Sequence, residues 1–296
     1  MFRTALILCF VTLQIVPASA QTRLRERLRE MLTQRRSSGD SVELSYGTDP
    51  LQKLDFWKSE SPNAPLVIFV HGGGWRMGDK RDATGEKSAH YHQQGYAFAS
   101  INYRLVPAAT VEQQAQDVAN AIAHLINRAE TLGFDGKRVV LMGHSAGAHL
   151  SALVGTDLSY FKKAGLNANS LRGVIPLDGA CYDVPRQIAE GGQFMHDTYL
   201  QAFGTDPKRQ AALSPTKHAD APNAPAFLIL HVQREDGTAQ SNALAAALRK
   251  DGTVVEIQGF EGRGLKGHAE INRQMGDSSY PATPVVDAWL KRMFDQ

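Results

Sequence analysis

Residues 138–149 read R-V-V-L-M-G-H-S-A-G-A-H, and the fold turns on how that stretch is read. The apolar run Val139–Met142 has the character of a strand buried on both faces. It breaks at Gly143-His144-Ser145-Ala146-Gly147 and gives way to an alanine- and leucine-rich segment that continues to Thr156. A G-x-S-x-G between a buried strand and a helix has the context of a nucleophile elbow. The sharp turn strains the serine backbone and lifts Ser145 Oγ above the carboxyl edge of the sheet. Side chains two before and two after the serine would collide there, so both positions take glycine. The helix N-terminus that starts at the turn favours a developing oxyanion.

Upstream, the apolar run Pro65–Val70 leads into His71-Gly72-Gly73-Gly74-Trp75. Consecutive glycines let a backbone approach a ligand closely and aim its N–H groups inward. A tetrahedral intermediate needs two such donors, one from this loop and one from the residue after the nucleophile. Gly73 and Gly74 are expected to supply the first and Ala146 the second. His71 reads as a loop brace rather than a base. Trp75 is expected to line or buttress the pocket, and Trp75 and His144 are the candidate substrate-binding residues.

The flanking chain alternates strand-like and helix-like stretches. Residues 41–47 and 52–59 read as two strands joined by a Gly-Thr-Asp-Pro turn, and 96–103 as another strand. The runs at 171–178, 224–232 and 252–260 complete a set of eight with 65–70 and 138–143. Helical periods lie at 80–94, 111–132, 146–156 and 281–294. This alternation implies an α/β fold with a mainly parallel eight-stranded sheet and helices on both faces. Residues 182–222 are the least regular part and read as a small cap-like excursion over the mouth of a site.

A serine hydroxyl needs a base, and the base needs an orienting acid. In this architecture the chain order is serine, acid, histidine. His149 lies one turn past Ser145 and packs; His231 sits in a strand; His196 and His218 fall in the excursion. His268, in a loop after the last strand, is the expected general base. The acid is expected after the strand that ends at Val232, where Glu235 and Asp236 stand side by side. Asp236 is preferred, being shorter and next to Gly237, with Glu235 as the competing choice. Asp178, in Pro176-Leu177-Asp178-Gly179, ends a strand near the same edge and reads as a supporting group or a substitute acid. Asp117 reads as an ion-pair or surface residue.

Together His71–Trp75, Asn102-Tyr103-Arg104-Leu105, Gly143–Leu150 and Gly267–Asn272 resemble the α/β-hydrolase fold. Within it they look like the esterase branch of hormone-sensitive-lipase-like carboxylesterases, feruloyl and acetyl esterases, and arylformamidases. His144 stands where typical hormone-sensitive-lipase relatives have aspartate, which moves the likeness toward the feruloyl-esterase and formamidase side. The acid loop lacks the D-x-x-V-P pattern common in the wider fold. The resemblance implies a carboxylic ester hydrolase acting on small or aromatic short-acyl esters through an acyl-enzyme. It also implies that Tyr103 and Arg104 brace the oxyanion loop. An arylformamidase or other amidase with the same machinery is the nearer alternative. A non-catalytic binding protein on the same fold is the more distant one.

Composition narrows the rest. Lysine plus arginine number 32 against 30 aspartate plus glutamate, so no global charge draws nucleic acid or an anionic membrane. No Cys/His spacing suits zinc, no phosphate loop follows the glycines, and neither metal nor cofactor is expected. His90 and His92 fall two apart on a helix and face different ways. Residues 1–20 have a positive start, the apolar core Ala5–Val16 and small residues at Ala18 and Ala20, the pattern of a secretory signal peptide. Cleavage near Ala20 would export the chain to the periplasm or medium with no stable membrane insertion. Cys181 would then be the only cysteine left of two, so no intrachain disulfide could form. Residues 21–40, with Leu24, Leu28 and Leu32 between charges, read as an amphipathic arm ahead of a catalytic domain at 41–296.

Overall fold

The computed structural model describes residues 41–295. The leader at 1–20 and the leucine-striped arm at 21–40 lie outside the described residues.

Eight strands form one sheet: β1 (Val42–Ser45), β2 (Lys53–Trp57), β3 (Ala64–Val70), β4 (Ala97–Ile101), β5 (Phe134–His144), β6 (Gly173–Leu177), β7 (Ala226–Gln233) and β8 (Val254–Arg263). Their order across the sheet is β1-β2-β4-β3-β5-β6-β7-β8. β1 and β2 join antiparallel at one edge, and every pairing from β4 to β8 is parallel. The mainly parallel sheet agrees with the strand-and-helix alternation of the sequence.

The period of two along each strand sorts the core into two layers. Leu66, Ile68 and Val70 of β3, Leu141 of β5 and Ile229 of β7 face one layer. It is covered by the helices Val111–Ile126, Ala146–Thr156 and Glu235–Lys250. Val67, Phe69, Val140, Met142, Leu228 and Leu230 face the other, under Tyr91, Ile271 and the stripe Val286, Trp289, Leu290 of the helix Ala282–Phe294. Helix Ala146–Thr156 is buried along its whole length. Gly143 and Gly147 make that possible: a Cβ on Gly147 would stand 2.2 Å from the Val70 carbonyl, and one on Gly143 would stand 2.2 Å from the Gly147 carbonyl.

Three expected elements differ. The helix at 80–94 is two pieces, Lys80–Thr84 and Lys87–Gln93, broken at Gly85 with φ +52°. Likewise 111–132 divides into Val111–Ile126 and Ala129–Leu132. The loop expected around His268 is the helix Gly264–Arg273, which starts directly after β8. The stretch Glu261-Gly262-Arg263-Gly264 reads as a loop because of its glycines. Here Gly262 (φ +123°) and Gly264 (φ +53°) make an abrupt strand-to-helix junction instead.

The excursion folds into short helices, Val184–Glu190, Gln193–Phe203 and Pro207–Ala212. Tyr199 and Phe203 pack on Trp75, so this segment braces the glycine-rich loop from behind. Among the described residues, no helix is long and apolar enough to cross a membrane.

Candidate active site

Ser145 has φ 56° and ψ −120°, a conformation rarely adopted by a residue with a side chain. Two contacts hold it there: its N–H donates to the Leu177 carbonyl at 3.1 Å, and its own carbonyl accepts from His149 N–H at 3.1 Å. The hydroxyl is thus presented at the carboxyl edge of β5. Ser145 Oγ lies 3.0 Å from His268 Nε2, and His268 Nδ1 lies 2.5 Å from Asp178 Oδ2. With Nδ1–H donating to the carboxylate, Nε2 offers its lone pair to the serine proton.

The carboxylate on His268 therefore belongs to Asp178, at the end of β6, and not to Asp236. Asp236 lies in the first turn of helix Glu235–Lys250, and its Oδ2 accepts from Gln187 Nε2 at 3.1 Å. Glu235 is exposed. The strand register explains the difference. His144 of β5 pairs with Leu177 of β6, and Leu177 with Leu230 of β7, so the residue after Leu177 emerges beside the elbow. The chain turns there with Asp178 at φ 45°, its N–H donating to the Leu230 carbonyl at 2.7 Å. Both carboxylate oxygens accept a hydrogen bond, Oδ2 from His268 and Oδ1 from Val232 N–H at 3.1 Å, and Arg234 Nε forms an ion pair with Oδ2 at 3.2 Å without hydrogen-bond alignment. Complete burial alone would raise this carboxyl. The His268 hydrogen bond and the Arg234 charge more than offset that and hold it below the usual carboxylate range. The sequence does carry a signal for Asp178, an Asp-Gly closing an apolar strand. Nothing in it marks Arg234 as its partner.

His144 is buried and stacks on His268 with ring centroids 4.5 Å apart. Its Nε2–H donates to the His268 carbonyl at 2.9 Å. Burial, and then the neighbouring His268, push this ring well below the ordinary histidine range, so it stays neutral. It lines part of the cleft and lies directly against His268. Trp75 does not line the cleft. It is 2% exposed, its ring is enclosed by His149, Tyr199 and Phe203, and its Nε1–H donates to His149 Nδ1 at 3.2 Å. A left-handed backbone (φ 60°) turns the indole into the core while the glycines before it face the cleft.

The loop itself is fixed from several sides. Tyr103 O–H donates to the His71 carbonyl at 2.9 Å and its ring stacks on the imidazole at 4.4 Å. His71 Nδ1 lies 2.7 Å from the Gly72 carbonyl. Gln114 Nε2 donates to the Trp75 carbonyl at 2.6 Å. Arg104 turns instead to Asp117, donating from Nε at 2.8 Å and Nη2 at 2.7 Å in a fork-to-carboxylate pair. Asp117 is fully buried and ion-paired. His90 faces Asp287, with Nε2 2.8 Å from the carboxylate.

Gly73, Gly74, His144, Ser145 and His268 open on one cleft of about 550 Å³, whose walls also include Met77, Asp79 and Asn272. Residues 182–222 contribute none of that lining, although Thr198 sits close behind Gly74. Among the described residues, no group of three or more His, Cys, Asp or Glu side chains could hold a metal ion.

Comparison with known proteins follows the same lines. The family description BD-FAE matches residues 54–248. Esterase LipC of Mycobacterium tuberculosis is 29% identical over 201 residues, 64% of this chain and 50% of that protein. The kynurenine formamidase of Danio rerio is 31% identical over 115 residues, 38% of each chain. This chain spans about half the length of the first curated relatives it matches. Among solved structures, esterase B of Lactobacillus rhamnosis superposes with a TM-score of 0.71 over 94% of this chain and 92% of that one. At 22% identity, this likeness speaks to the α/β-hydrolase fold alone.

Proposed function

Since the chain belongs to the BD-FAE family and has the α/β-hydrolase fold, we propose that it is a serine carboxylesterase acting through Ser145, His268 and Asp178. The observation that carries this is the continuous hydrogen-bonded line from Ser145 Oγ through both ring nitrogens of His268 to the Asp178 carboxylate. Ser145 Oγ attacks the ester carbonyl carbon as His268 Nε2 takes the hydroxyl proton. Gly73, Gly74 and Ala146 N–H groups stabilise the oxyanion. The alcohol leaves with the proton from Nε2, and an acyl-enzyme remains. Water then attacks the acyl carbon, gives its proton to Nε2 and releases the acid, and Oγ recovers the proton. Asp178 keeps the imidazole in one tautomer throughout and stabilises its protonated form. The open cleft suits small or aromatic esters with a short acyl chain.

A fluorophosphonate probe should label the unsubstituted protein and leave Ser145→Ala unlabelled. Absence of labelling in the unsubstituted protein would sink the reading. The local match to a kynurenine formamidase favours an arylformamidase as the second reading. A panel of acyl esters run beside a formyl anilide separates the two: the ester reading expects the short-acyl esters to turn over faster.

His144 gives a graded test. His144→Ala removes one buried hydrogen bond under His268 and a stacked ring, so kcat should fall about tenfold with KM little changed. An unchanged kcat in steady-state assays would show that the prop is dispensable.

A further inference from the structure

The tetrapeptide Arg234-Glu235-Asp236-Gly237 follows β7 at the place where the sequence led us to expect an acid, and it brings a cation into the site instead. Arg234 Nε lies 3.2 Å from Asp178 Oδ2, the same oxygen that accepts from His268 Nδ1, as a charge pair whose N–H is not aligned for a hydrogen bond. Its Nη2–H donates to the Gly179 carbonyl at 3.3 Å. The side chain is nearly enclosed, at 12% exposure, and Asp178 is fully buried. Space for the guanidinium exists because residue 237 has no side chain. A Cβ on Gly237 would stand 2.7 Å from Arg234 Nη2 and 3.1 Å from Nε.

We propose that Arg234 is a positioning residue that acts through Asp178, fixing the carboxylate against His268 and setting the pH at which His268 becomes available as a base. The proposal rests on the reading of Ser145, His268 and Asp178 as the reacting line. An unopposed buried carboxylate would stabilise the protonated imidazole strongly. Arg234 shares Oδ2 and repels that extra proton at short range in a poorly solvated place, so both effects favour the neutral, working form.

The other charges near His268 do less. His144 is neutral where it stacks on the ring. Lys87, which burial pushes down to about 7, is turned to the Asn272 carbonyl at 2.6 Å. On the histidine's own helix, Glu270 has Lys266 and Arg273 each at 3.9 Å, with those cations 86% and 70% exposed and screened by solvent. Asp79, across the cleft, is held by Asn102 and Arg81 N–H. Tyr280 and Tyr182 have their hydroxyls pushed up by burial and remain neutral.

The test is the pH dependence of kcat/KM with a nitrophenyl acetate for the unsubstituted protein, Arg234→Gln, Arg234→Lys and Gly237→Ala. Arg234→Gln should move the acid limb upward by about one pH unit, and Arg234→Lys should keep it near its original place. Gly237→Ala should move it in the same direction as Arg234→Gln, because the new methyl displaces the flexible guanidinium while suiting the helix. If Arg234→Gln does not fold, Gly237→Ala still decides. A limb that stays put in every folded variant that lacks or displaces the guanidinium, with the rate lowered evenly at all pH values, would reduce Arg234 to a packing role and overturn the proposal. Failure of the underlying reading looks different: the unsubstituted protein would escape fluorophosphonate labelling, or Asp178→Asn would keep its full rate.

Discussion

Asp178→Asn should lower kcat by about 10⁴-fold, by analogy with the loss of the orienting acid in serine-protease triads, while Asp236→Asn should stay within about twofold of the unsubstituted protein. The asparagine is nearly isosteric, so the β6 turn and the Val232 and Leu230 contacts can persist. Two things are lost with the charge. Asparagine can present its NH₂ to His268 Nδ1 and favour the tautomer with the proton on Nε2, which cannot accept from Ser145. The protonated imidazole that forms during attack also loses its counter-charge. Asp236 bonds Gln187 rather than His268, so its neutralisation leaves the reacting line untouched. Steady-state assays of the two variants decide the matter. The reverse ranking would return the acid to β7. Asp178→Asn also leaves the nearly enclosed Arg234 without its anion, so a lower melting temperature is expected alongside the lost rate.

Trp75→Ala should cost about 3–5 kcal/mol of stability, the range for emptying a large buried aromatic site. The indole is 2% exposed and packs edge-on to Phe203 at 4.8 Å and to His149 at 5.4 Å between centroids. Its loss opens a cavity between the glycine-rich loop and the Gln193–Phe203 helix. It also strands the buried His149 Nδ1, whose other nitrogen is committed to the Leu213 carbonyl at 2.8 Å. In a domain of this size the melting temperature should fall by roughly 10 °C. Urea denaturation of Trp75→Ala beside Trp75→Phe, which keeps most of the packing and loses the N–H, measures the two parts. A Trp75→Ala protein of unchanged stability but raised KM would mean that the indole does line the cleft.

Arg234 and Asp178 show how far the sequence could be read. Asp178 was visible as a carboxylate closing an apolar strand, and Glu235 and Asp236 were visible as two more. Choosing among them needs the direction each leaves its strand. Trp75 posed the same difficulty: its neighbours Gly73 and Gly74 face the cleft, and only its left-handed φ sends the ring the other way. The helix carrying His268 was hidden by the glycines at 262 and 264, which read as loop and act as a junction.

By itself, the sequence determined the α/β alternation, the strained serine turn and the glycine-rich loop. Those are local matters: side-chain period fixes strand and helix, and a five-residue turn with no room for two Cβ atoms demands its own glycines. Only the tertiary structure decided which acid meets His268. Asp178 and His268 lie 90 positions apart, and their contact depends on β6 lying beside β5, on the turn after Leu177, and on an arginine just past β7 that meets Asp178. A contact of that range is fixed by the packing of three strands and a helix, and no short stretch of chain encodes it.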